Sequence, residues 1–158
     1  MTEYSKLALA FIGFFYVLLL FRTVTLEWTT NQSLFSAGAD VATLPDGDYN
    51  GQVEGPQFSW LGKQFNASSL TGINRFTDSR GTIIHAYPFK MYTGEGVHDK
   101  REVISVDYDV PNNPFWLRPC LDELVETSPG HYLGKLHIRI FPGYPFTLLY
   151  FRLEKVTP

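Results

Sequence analysis

Residues 104–110 read Ile-Ser-Val-Asp-Tyr-Asp-Val, and this short run decides the fold. Ile104, Val106, Tyr108 and Val110 alternate with Ser105, Asp107 and Asp109. An extended chain therefore puts the large apolar side chains on one face and the short polar ones on the other. A helix would scatter both sets around its axis. The pattern predicts a strand with one dry and one wet face, as in an antiparallel sheet that covers a core on one side.

The same period recurs outward from this run. In Tyr132 to Ile140, Leu136, Ile138 and Ile140 oppose Lys135, His137 and Arg139. Phe146 to Glu154 is apolar on both faces, and Ile83 to Tyr92 places Ile83, Tyr87, Phe89 and Met91 on one face with His85. Pro88 predicts a bend or a sheet edge in that last strand. Shorter candidates are Asp48 to Glu54, Phe58 to Phe65 and Leu70 to Phe76, while Pro119 to Glu126 reads as one or two helical turns. Turn signals such as Pro45-Asp46-Gly47, Thr93-Gly94-Glu95-Gly96, Ser128-Pro129-Gly130 and Pro142-Gly143 separate the runs. About seven or eight antiparallel strands in one domain predict a mainly β fold, a small barrel or a strongly curved sheet.

The N-terminus is of another kind. Leu7 to Phe21 (LALAFIGFFYVLLLF) contains no charge and no proline. At roughly 1.5 Å per residue this covers about 22 Å, short of a hydrocarbon core about 30 Å thick. Extension through Leu26, with Arg22 snorkelling, and an aromatic belt at Tyr4 and Trp28 predict one transmembrane helix. A cleaved signal would need a small-residue site soon after Phe21, and the Ala37-Gly38-Ala39 candidate lies well beyond it. Lys6 and Arg22 flank the two sides equally, so the side of the membrane that holds the globular part stays undecided. The expected organisation is an anchor helix at 1–28, a small-residue and polar linker at 29–43, and the barrel at 44–158. Asn31 and Asn66 open glycosylation sequons, which matter only in a eukaryotic secretory setting.

Composition narrows the function. A net charge of -3 with no basic run excludes an electrostatic surface for nucleic acid. A single cysteine, Cys120, excludes an intrachain disulfide and a Cys-rich zinc site, and it is expected to be a buried structural thiol. The four histidines, His85, His98, His131 and His137, do not fall at metal-ligand spacing, so no metal is expected. Nucleophile-elbow, phosphate-loop and dinucleotide signatures are absent. His85, on an otherwise apolar face, is expected to be hydrogen-bonded inside a filled barrel; the alternative is a polar anchor in a ligand cavity, axial ligation of a haem included. Arg118 and Asp122, four apart, suit an ion pair on one helical turn. Arg75 or Arg118 could instead receive the carboxylate or phosphate of an amphiphile.

One further constellation stands out. Trp60-Leu61-Gly62-Lys63-Gln64-Phe65 is followed by Gly72-Ile73-Asn74-Arg75-Phe76, by Asp107-Tyr108-Asp109 with Arg118-Pro119 and Asp122-Glu123, and by Pro129-Gly130 with Tyr132-Leu133-Gly134-Lys135. These motifs resemble small bacterial β-barrel proteins of the GXWXG type, which share a broad shape with lipocalin and nitrobindin-like groups. The resemblance covers most of Leu44 to Lys155, and Phe58 departs from it by standing where the motif has glycine. It implies a barrel; the N-terminal anchor falls outside the resemblance, and the expected location of the anchored chain is a bacterial inner membrane.

Together these readings predict a single-pass membrane protein without chemistry of its own. The leading expectation is an accessory subunit of a larger membrane complex, with Phe11, Phe14, Phe15, Tyr16 and Phe21 meeting its partner. The alternative is a tethered barrel that binds a small apolar ligand (lipid, isoprenoid, quinone or porphyrin) through His85, Trp60, Lys63, Asn74, Arg75, Arg118 and Asp122. A lyase or isomerase using His85 or Asp122 is a third.

Overall fold

In the computed structural model, which describes residues 2–54 and 59–157, the Ile104 run is one stave of a closed barrel. Its strands are β1 (Gly47–Val53), β2 (Trp60–Asn66), β3 (Thr71–Thr77), β4 (Ile83–Glu95), β5 (Glu102–Asp107), β6 (Cys120–Ser128), β7 (His131–Ile138) and β8 (Phe146–Lys155). Each pairs antiparallel with the next, and β1 closes on β8 through Gly51 opposite Leu153. Closure leaves no sheet edge to aggregate. Phe58, the departure from the GXWXG pattern, lies outside the described residues.

Aromatic and branched side chains fill the interior: Tyr49, Phe65, Phe89, Val106, Leu124 and Leu153 are all buried. Residues facing each other across two strands point to the same side, so the register fixes which residues enter the barrel. The register shifts at four places around the barrel, and two of these bulges decide the candidate site. In β2 the pairing skips a residue between Trp60 and Gly62, and in β4 the chain bulges at Tyr87, whose φ is 61°. A bulge inserts one unpaired residue and shifts the phase of everything beyond it. Ile83 and His85 therefore point outward, while Phe89 and Met91 beyond the bulge point inward.

Two expected elements differ. The Pro119 to Glu126 stretch forms β6, not a helical turn. Its alternation was hidden because both faces are covered: Leu124 looks into the barrel and Val125 outward under a helix. The 29–43 segment is no loose tether. It carries a second helix, α2 (Thr30–Ser36), capped by the Thr29 side chain, and Phe35 on it is completely buried. Arg101 donates to the carbonyls of Phe35, Ser36, Gly38 and Ala39 at 2.7–3.0 Å, which satisfies the chain leaving that helix. Ala39 then bridges to Glu126 on β6.

The apolar N-terminal run is helix α1 (Glu3–Glu27), long and apolar enough to cross a membrane. Only its second half meets the barrel. Tyr16 packs edge-on against Phe141 and Phe146 at 5.2 Å, Thr23 accepts from the backbone of Thr147 at 3.0 Å, and Leu26 joins Phe35, Val125, Leu133 and Tyr150 in a second cluster outside the barrel. Lys135, fully buried here, pairs with Asp99 at 2.7 Å and Glu27 at 3.3 Å, while His137 pairs with Glu123 at 3.2 Å. These two side chains were expected on a wet face, and the helices that cover them make that face dry. β6 lies between β5 and β7, and Arg139 reaches across it to Asp107 at 2.7 Å.

Candidate functional site

The β2 bulge builds the site. Gly62 sits at a φ of 122°, and a Cβ there would come within 2.1 Å of the Tyr49 carbonyl oxygen. Glycine alone permits this approach, and the resulting phase shift brings both Trp60 and Lys63 to the inner face. Asn74, opposite Lys63 on β3, joins them, as do Tyr108 just after β5 and Asp122 on β6. Together they floor a cavity of about 230 Å³ whose walls include Val53, Phe76, Tyr87, Leu117, Leu136 and Leu149.

The floor is a closed polar circuit. Lys63 Nζ donates to Asp122 Oδ2 at 2.8 Å, to Asn74 Oδ1 at 3.0 Å and to the Tyr108 hydroxyl. Tyr108 in turn donates to Asp122 at 3.0 Å, and Asn74 Nδ2 donates to the Tyr87 carbonyl and the Tyr108 oxygen, each at 3.1 Å. Trp60 Nε1 closes the circuit on Asn74 Oδ1 at 3.0 Å. The lysine's three donors are thus met. Its ammonium also lies 5.1–5.6 Å from the ring centres of Trp60, Phe89, Tyr108 and Phe151, a cage of the kind that stabilises a cation.

Burial dominates the electrostatics. It pushes the Lys63 ammonium below its usual pKa, and Asp122 pulls the other way. Burial and then Asp122 hold Tyr108 well above the usual phenol value, so it stays a neutral donor. The same two causes raise the Cys120 thiol to about 11, which leaves a protonated, unreactive sulfur in the cavity wall.

Of the residues singled out from the sequence, Trp60, Lys63, Asn74 and Asp122 come together here. His85 does not: it pairs with Arg75 on the outer face and is exposed, because the Tyr87 bulge separates its phase from that of Phe89 and Met91. The expectation of a hydrogen-bonded internal histidine is corrected, and His85 does not line this cavity. Arg75 also lies outside, 4.0 Å from Asp48. Arg118 pairs with Asp109 at 2.6 Å on the surface, not with Asp122, because the stretch between them is strand, not helix. Among the described residues no group of three or more His, Cys, Asp or Glu side chains could hold a metal. Tyr16, expected to meet a partner, is spent on Phe141 and Phe146, whereas Phe11, Phe14, Phe15 and Phe21 are exposed. Sequence reasoning missed Tyr108 and Tyr87. Tyr108 was visible as the polar-tipped member of the Ile104, Val106, Tyr108 face; Tyr87 depended on a bulge.

The chain belongs by architecture to the closed eight-strand antiparallel barrels with an internal cavity. A solved protein from Thermomonospora curvata has the same fold, with a TM-score of 0.58 at 14% identity over 80% of this chain and 85% of its own. No family model and no curated protein matches the sequence.

Proposed function

We propose that the protein is a membrane-tethered barrel that binds one small, mainly apolar molecule. The observation that carries this reading is the cavity with apolar walls over the Lys63–Asp122 floor. Lys63 and Asp122 neutralise each other and their donors are met, so the floor calls for no ligand charge; a carboxylate would crowd a second anion beside Asp122. The fitting ligand is apolar, with at most one neutral hydroxyl or carbonyl group. At about 30 Å³ per water, the volume equals roughly eight waters, which suits a short isoprenoid or acyl chain and argues against a porphyrin or a long-tailed quinone.

Kinship with the GXWXG-type barrels is part of the proposal, since the motifs that carry the likeness supply Trp60, Lys63 and Asn74. The exposed rings of Phe11, Phe14, Phe15 and Phe21 support the accessory-subunit reading, but contact with lipid accounts for them equally. Catalysis is disfavoured by the same circuit that favours binding: Asp122 is engaged by both Lys63 and Tyr108, and His85 faces away.

Native mass spectrometry of the full chain in detergent tests the reading. A small co-purifying mass is expected, and Leu149→Trp, which fills the cavity, should abolish it. Identical spectra for both chains would overturn the proposal, and stoichiometric partner subunits in their place would favour the accessory role.

A further inference from the structure

In an up-and-down barrel, alternate hairpins gather at the same end. The connections β3–β4, β5–β6 and β7–β8 therefore share one rim, at the end of the barrel where Phe76, Leu117 and Leu149 line the cavity. This rim exposes large apolar side chains beside a few charged ones, Arg80 and the Arg118–Asp109 pair. Phe115 is 84% exposed and Trp116 54%, with Ile83, Ile84 and Ile140 also exposed. Trp116 stands against Tyr87 in the cavity wall, ring centres 5.9 Å apart.

Helix α1 leaves the barrel at this same rim, since Tyr16 touches Phe141 in the β7–β8 connection and only the residues before it run free. From Leu7 to Phe15 the free apolar stretch covers only about 13 Å, less than half of a hydrocarbon core about 30 Å thick. The apolar surface does not stop there. Val17, Leu18, Phe21 and Val24 remain exposed on the side of α1 turned away from the barrel. Trp28 lies about 18 Å further along the helix than Tyr16, on the part packed beside the barrel, so it does not mark the same interface as the rim.

We propose that the barrel sits mouth-down in the membrane, with Phe115 and Trp116 inserted at the boundary of headgroups and acyl chains. Immersion to the level of Phe21 brings the rim about 8 Å into the bilayer, within the roughly 5–10 Å depth of interfacial apolar faces. The lipid surface is the occupant of this patch because α1 already holds the rim against it. The cavity then opens to lipid, not to water, and its ligand enters from the bilayer. This inference rests on the membrane half of the proposed function and not on the cavity being filled.

Tryptophan quenching tests it on the full chain reconstituted in phosphatidylcholine vesicles that carry shallow or deep spin-labelled lipids. Shallow labels should quench a component of the emission that is lost in Trp116→Phe and kept in Trp28→Phe. Equal quenching in the parent and in Trp116→Phe would overturn the inference. Alkaline washing of the same vesicles separates the two failures. A chain released by the wash loses the tether itself, whereas a retained chain with unquenched Trp116 loses only the immersed rim.

Discussion

The chain contains the same four-residue pattern twice, Trp60-Leu61-Gly62-Lys63 on β2 and Tyr132-Leu133-Gly134-Lys135 on β7, and the two lysines end on opposite sides of the wall. Both are fully buried, both pair with carboxylates and both lie against aromatic rings. In β7 the strand alternates without a bulge across the motif, so Tyr132 points in and Lys135 out, where α1 and the 96–101 connection cover it. In β2 the bulge at Gly62 turns Lys63 inward beside its aromatic partner. One residue of register converts a staple for a helix into the floor of a cavity.

The largest effect should come from removing that residue's freedom. Gly62→Ala introduces a Cβ against the Tyr49 carbonyl at a φ that disfavours side chains. A loss of about 3–5 kcal/mol is expected in thermal melts of the full chain. A loss under about 1 kcal/mol would mean that the bulge is not what places Lys63.

Next come the lysines themselves. Lys63→Met strands Asp122 in the interior, at a cost of about 3–5 kcal/mol, and a second change, Asp122→Leu, should restore most of it. Lys135→Met should cost less, about 2–3 kcal/mol, because Gln32 still donates to Asp99 and Glu27 keeps 31% of its side chain in solvent. Its signature should be local: α1 and α2 loosen, and protease cleavage between residues 37 and 45 accelerates while the barrel persists. If Lys63→Met sensitises that segment equally, the two networks are one and the contrast between them fails.

The division between legible and illegible residues follows from the same geometry. The strands around Ile104, Leu136 and Phe89 could be read because one face of each is chemically unlike the other. The floor of the site was half legible: Trp60, Lys63 and Asn74 stand in motifs, but nothing local says that a bulge turns them inward. His85 was misplaced for that reason alone, since Tyr87 adds one residue to an otherwise regular alternation. Glu123 fell in a stretch read as helical turns, and Lys135 and His137 read as a wet strand face because charge on a strand ordinarily means water. Here α1, α2 and the 96–101 connection exclude it, and contacts from so far along the chain leave no mark in a local window.

The smallest effect distinguishes the two networks by pH. His98 lies beside the outer one, its ring centre 5.5 Å from that of His137. Burial holds it below its usual 6.5, reinforced by His137 and Lys135 and opposed by Glu27. The unfolded chain therefore takes up this proton first as pH falls. The contribution of His98 is complete above about pH 6.5 and declines below it, toward the lower pKa of the folded state. One proton cannot exceed about 1.4 kcal/mol per pH unit, so the slope is shallow. Replacing the imidazole in His98→Phe keeps a ring against Tyr144 and removes the titration. Melting temperature against pH should then be flatter just below pH 6.5 for His98→Phe than for the parent. Lys63→Met, which alters only the inner network, should keep the parent's slope in that window. Parallel profiles for parent and His98→Phe would show that acid acts on the outer seam through some other group.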